Sequence, residues 1–138
     1  MATVQATFLS GRYRCGKLTR HWSAGDGSCA MSSSCSGILE DIPHIILWCP
    51  SLTQIRQGLY AYTLRYTSNL PLPLMVLLRT KFHPDNPTFI DCILDCSTDS
   101  QIIKTTQELG GDVLRHAFAV SRTWAYVLHR ERMRLLGL

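Results

Sequence analysis

Cys29-Ala-Met-Ser-Ser-Ser-Cys35 and His44-Ile-Ile-Leu-Trp-Cys49-Pro50, separated by eight residues, spell C-x5-C-x8-H-x4-C. Three thiols and one imidazole in so short a window form the donor set of a closed tetrahedral site. Soft thiolates with a neutral imidazole suit Zn2+, and four protein ligands leave no position for water. The first two cysteines lie in a loop of Ser and Gly able to turn both sulfurs toward one point. His44 and Cys49 flank the apolar run Ile45-Ile46-Leu47-Trp48, which reads as one or two helical turns carrying both side chains to the same ion. The bland alternative is two buried structural cysteines, a surface cysteine and a histidine satisfied elsewhere, and the x5 gap is wider than the commonest zinc spacing. Clustering at ligand spacing favours metal: one structural Zn2+ on Cys29, Cys35, His44 and Cys49.

Outward from this stretch the pattern is helical. Asp41 is placed to cap the turn that carries His44, Pro43 suits its first turn, and Pro50 ends it. Ser51 with Gln54 reads as a capping box for a helix over 52–66, where Leu52, Ile55, Leu59, Tyr62 and Tyr66 recur at helical spacing. Residues 67–73, with Asn69, Pro71 and Pro73, read as a linker, and 74–78 as a short helix. His83-Pro84-Asp85-Asn86-Pro87 is a turn, with Asn86 as cap for two helical turns containing Phe89, Ile90, Ile93 and Leu94. Asp99 opens a further helix that stops at Gly110-Gly111. The last helix spans 112–135, with Leu114, Ala117, Phe118, Ser121, Trp124, Ala125 and Leu128 as its apolar face, expected against 52–66. The fold class is therefore all-α: a small helical domain with an N-terminal CCHC zinc-stapled loop. Residues 1–50 make the basic segment and metal module, and 51–138 the helical domain.

The chain has 138 residues, a formal charge of +4 and six cysteines. Residues 1–22 hold Arg12, Arg14, Lys17 and Arg20 and no acid, and the last helix ends in Arg130, Arg132 and Arg134, while the middle is acidic. Two basic ends suggest polyanion contacts; solvated helix faces are the plainer reading. In the stretch 12–22 the bases interleave with Tyr13, His21 and Trp22, so cations for phosphates alternate with rings for bases. Packing of Trp22 beneath the zinc loop is the competing account. Met1 to Ser10 shows neither the charge nor the apolar block of a signal peptide, and no apolar run is long enough to span a bilayer. An intracellular, reducing setting, cytoplasm or nucleus, is expected, where clustered cysteines mean metal or core.

Motifs for catalysis do not emerge. Phosphate loops, HExxH, GxSxG and the deaminase zinc pattern are missing from the sequence, as are the acid–x–lysine of restriction-like nucleases and an Asp-Asp pair for polymerase metals. Asp91 and Asp95 share a helix face, but capping and solvation explain them. Cys92 and Cys96 have the same spacing and read as buried thiols before a second metal site. Cys15 with His21 lacks a third orienting group.

Three stretches together resemble the C-terminal end of non-LTR (LINE-type) retrotransposon reverse transcriptases. They are Leu9-Ser10-Gly11-Arg12-Tyr13-Arg14 with Leu18-Thr19-Arg20-His21-Trp22; the set Cys29, Cys35, His44, Cys49 closing on Pro50; and Ile93-Leu94-Asp95-Cys96-Ser97 followed by Arg122-Thr123-Trp124-Ala125-Tyr126-Val127-Leu128-His129-Arg130-Glu131-Arg132. The blocks fall in the family's order and cover nearly the whole chain. Pro43 and Cys15 depart from the pattern. The resemblance implies a zinc-binding, nucleic-acid-contacting accessory segment of retroelement origin, with no polymerase or nuclease site of its own. RNA or DNA is then the expected partner, through Arg12, Arg14, Lys17 and Arg20, beside an upstream polymerase domain or parent protein; a membrane and a small-molecule substrate are not expected. The other reading is a protein-interaction or scaffold domain in which zinc only holds the fold.

Overall fold

Gly27 and Gly37, both with positive φ (83° and 79°), turn the chain at the two ends of the cysteine loop. The computed structural model describes residues 27–137. An isolated antiparallel bridge, Ser28 to Leu39, closes the loop through Cys29 N–H to the Ile38 carbonyl (2.9 Å) and Glu40 N–H to the Gly27 carbonyl (3.0 Å). A 3-10 turn at Ser33–Cys35 sits inside it, capped by the Ser32 hydroxyl. Everything beyond the loop is helical, and no strand occurs among the described residues.

The segment His44–Trp48 is a π turn, closed by Cys49 N–H to the His44 carbonyl at 2.7 Å. Asp41 caps it as expected, its carboxylate accepting from His44 N–H at 2.8 Å. The sequence reading of one or two ordinary turns needs correction here. At 3.6 residues per turn, positions five apart point about 140° away from each other. A π turn, bonded from i to i+5, stacks the fifth residue near the first. The x4 gap between His44 and Cys49 therefore depends on the widened turn.

A 3-10 turn, Pro50–Leu52, leads into helix α1, Thr53–Thr67. The expected capping box does not form. Leu52 occupies the cap without a side-chain bond, and the Ser51 hydroxyl instead donates to the Met31 carbonyl at 2.9 Å, tying the helix start to the cysteine loop. Helix α2, Leu72–Lys81, starts earlier than expected because Pro73 fits the first turn, so the linker is short. Asn86 accepts from Thr88 N–H at 2.8 Å, and helix α3, Phe89–Asp95, begins just after that turn. Asp99 caps helix α4, Ser100–Leu109, accepting from Gln101 and Ile102 N–H, and Gly110 (φ 99°) ends it. Helix α5 runs Asp112–Leu135 as expected.

One buried cluster joins the metal loop to the helices: Cys35, Ile45, Ile46, Cys49 and Leu52 share it with Leu78, Phe89, Ile93 and Trp124. Trp124 is fully buried, meets Phe89 edge-on with centroids 5.1 Å apart, and donates its indole N–H to the Thr63 hydroxyl of α1 at 3.0 Å. Thr63 and Thr67 tolerate burial because their hydroxyls return to the Leu59 and Thr63 carbonyls at 2.9 and 2.8 Å. The expected packing of α5 on α1 is thus present, but the buried face is rotated. Val113 and Val120 are inside, with Ala117, Ser121, Trp124, Ala125 and Leu128, while Leu114 and Phe118 flank the core half-buried. Trp124→Ala should cost about 3–5 kcal/mol in urea unfolding, since it empties the largest core side chain and strips Thr63 of a donor. Wild-type stability in that variant would contradict the packing.

The C-terminal end of α2 is held by a second buried device. Lys81 Nζ lies 2.9 Å from Asp99 Oδ2, with both side chains nearly inaccessible (7% and 6%). The Thr88 hydroxyl (3.3 Å) and the Cys92 thiol (3.6 Å) donate to the same oxygen. Burial pushes the Asp99 carboxyl up, but the bonds from Lys81 and Ile102 N–H outweigh it and hold its pKa low.

Candidate metal centre

Cys29 comes from the bridge, Cys35 from the end of the 3-10 turn, His44 from the start of the π turn and Cys49 from the residue after it. Their ligand atoms all lie within 4.8 Å of one another, the one cluster of three or more metal-ligating side chains among the described residues. Cys29 Sγ and Cys49 Sγ are 3.8 Å apart. All four residues are buried: Cys35 and Cys49 are fully enclosed, and Cys29 and His44 are 4% exposed.

With no metal bound, burial favours the neutral thiols in this pocket. Burial pushes the Cys29 thiol up to about 12, and the neighbouring Cys49 and Cys35 add to that rise against the Met31 N–H. The Cys35 thiol is raised as well, first by burial. A bound dication reverses this balance by taking the thiolate form. His44 Nε2 is buried without a hydrogen-bond partner. An orphaned ring nitrogen costs about 1–3 kcal/mol unless something accepts its lone pair or proton. One ring nitrogen of His44 lies within 4.8 Å of the three sulfurs, so a single ion could take all four donors.

Arg56, one turn into α1, donates from Nη2 to the Cys49 carbonyl and to the Thr53 hydroxyl (3.4 Å). Burial lowers the guanidinium pKa, and the charge of Cys49 works the other way. Three thiolates on a dication would leave one net negative charge, which this guanidinium is placed to offset. Nothing in the sequence marks Arg56 for that role, because no motif places an arginine seven residues after the last ligand.

Glu40, next to the bridge, is 3% exposed and is held by Arg132 of α5. Arg132 Nη2 reaches Oε1 at 2.7 Å and Nε reaches Oε2 at 3.0 Å, a two-pronged pair across 92 residues. Arg132 therefore does not belong to the solvated basic tail that the sequence suggests. Arg134 pairs with Glu131, Nε to Oε1 at 3.0 Å, and Arg130 is exposed.

The other cysteines behave as core. Cys92 and Cys96 are buried, their thiols pushed up to about 12 and about 11 by burial; the Ser121 hydroxyl lies 3.9 Å from Cys96 Sγ. Asp91 is exposed, and Asp95 caps Ser97 N–H at 3.1 Å. His116, for which the sequence offered no partner, meets the Tyr66 hydroxyl at 2.7 Å through Nδ1. Arg12, Arg14, Lys17 and Arg20, with Tyr13, Cys15, His21 and Trp22, lie outside the described residues. No helix among the described residues is long and apolar enough to cross a membrane.

No protein-family model, curated protein or solved structure matches this chain.

Proposed function

We propose that the CCHC cluster holds one structural Zn2+ and that the chain is a nucleic-acid-contacting accessory segment of a LINE-type reverse transcriptase, without a polymerase or nuclease site of its own. The observation that carries the metal reading is the orphaned His44 Nε2 among three buried sulfurs. Two thiolates on a tetrahedral zinc, each at 2.3 Å, stand about 3.8 Å apart, and Cys29 Sγ and Cys49 Sγ have that separation, 3.8 Å. Zinc supplies no reactivity here: Cys29, Cys35, His44 and Cys49 fill its coordination, and Arg56 offsets the remaining charge. The nucleic-acid reading is supported by the basic stretch 12–20 and by the family resemblance.

Binding of labelled single-stranded RNA and DNA across a salt series tests it. Log affinity should fall steeply with log salt. Arg12→Ala with Arg14→Ala should weaken binding and flatten that slope by about one to two, at roughly 0.7–0.9 per phosphate contact. An unchanged slope, with Arg130→Ala carrying the loss instead, would move the contact surface to α5. A second reading, a docking module for a polymerase, is favoured by Leu72 and Val76, exposed at 66% and 52% one turn apart on α2. Failure to bind either nucleic acid even at low salt would leave that reading standing.

A further inference from the structure

The metal loop holds two large apolar side chains out to solvent, Ile38 (48% exposed) and Trp48 (67%). Each adjoins a ligand: Ile38 N–H donates to the Cys35 carbonyl at 2.9 Å, and Trp48 directly precedes Cys49. Together they line one open cleft of about 520 Å³, with Ser34, Asp41 and Pro50 at its border beside the ligands Cys35 and His44. We infer that this cleft takes one unpaired nucleobase of a single-stranded nucleic acid, stacked on the Trp48 indole and backed by Ile38. The inference rests on the nucleic-acid reading above and names the group that this site would bind.

Three observations select a base over other occupants. A phosphate would meet the Asp41 carboxylate, which has the wrong sign, whereas the N–H donors on a base edge would find acceptors in Asp41 and the Ser34 hydroxyl. A protein partner would need far more apolar surface, since stable interfaces bury roughly 800 Å² per partner. The sequence ahead of Cys29 carries Arg12, Arg14, Lys17 and Arg20, the cations that a nucleic-acid partner needs. Metal fixes both walls of the cleft through Cys35 and Cys49, so little order is left to impose on binding.

The test compares two labelled DNA strands of equal length and charge, one of mixed purines and cytosine and one made of abasic sites, on the zinc-loaded full chain. Wild-type protein should prefer the base-bearing strand by about 5- to 150-fold, the range of one stacked base. Trp48→Ala should remove most of that preference while leaving the salt slope unchanged, because no phosphate contact is lost, and Trp48→Phe should keep part of it. Ile38→Asp, on the other wall, is a second variant with the same expected loss. Equal binding of both strands by the wild type, or a preference that survives both variants, overturns the base cleft and leaves the nucleic-acid reading intact. No binding of either strand at low salt overturns both.

Discussion

Protein purified without added metal should carry about one equivalent of zinc, and Cys49→Ser should lose it together with much of the stability of residues 27–52. Cys49 is the candidate ligand on which most of the local structure depends. Its N–H closes the π turn, its carbonyl receives Arg56, and its sulfur lies against Cys29. Structural zinc contributes apparent binding energies of about 10–16 kcal/mol in peptides that fold only with metal. Here the loop shares its core with the helices, so part of α1 to α5 should survive metal loss. Calorimetry with and without a chelator should show the melting temperature falling by about 10 °C or more, as expected for a loss of several kcal/mol in a domain of this size. Metal analysis on the same samples decides the donor set. A variant that keeps its zinc, or wild-type protein that melts identically after chelation, would remove the metal from the account of this fold.

The second large effect concerns the ion pair between Glu40 and Arg132. Both partners are buried, with side chains 4% and 8% exposed. Removing one breaks a two-pronged buried ion pair, so Glu40→Ala or Arg132→Ala should each cost about 3–5 kcal/mol in denaturant unfolding. Replacing both, Glu40→Leu with Arg132→Met, should restore most of the loss, because neither charge is then buried. Glu40 N–H also closes the bridge at Gly27, so the single variants should bind zinc more weakly in a competition titration. Single variants no less stable than the double would show that the pair is not isolated from water.

Signals local in sequence were legible. Asp41 and Asp99 cap where their positions suggest, Gly110 stops α4, and the 112–135 period marks α5. The four candidate ligands are close in sequence and converge. What stayed hidden depends on distant partners. Lys81 and Arg132 are ordinary solvated cations until Asp99 and Glu40 are brought to them. Thr63 reads as polar until Trp124 points at its hydroxyl. The face of α5 was misjudged by a fraction of a turn, because Val113 and Leu114 are both apolar and only the neighbours decide which turns inward. Trp48 belongs to one apolar run with Ile45 and Ile46, yet the π turn sends those two inward and leaves Trp48 outside. The spacing of five between His44 and Cys49 carried the hint, since an ordinary helix would have separated them.

The ion pair between Glu40 and Arg132 also sets an order of events during synthesis. The four candidate ligands leave the ribosome before Arg132 does, and a nascent chain is chemically equipped to capture an ion as soon as Cys49 emerges. The clamp over that loop arrives 92 residues after Glu40. Until then the glutamate remains hydrated and the loop lacks that clamp. A metal ion would thus be the earlier staple and the arginine the later lock, and a ribosome stalled before Arg132 would expose an unfastened loop.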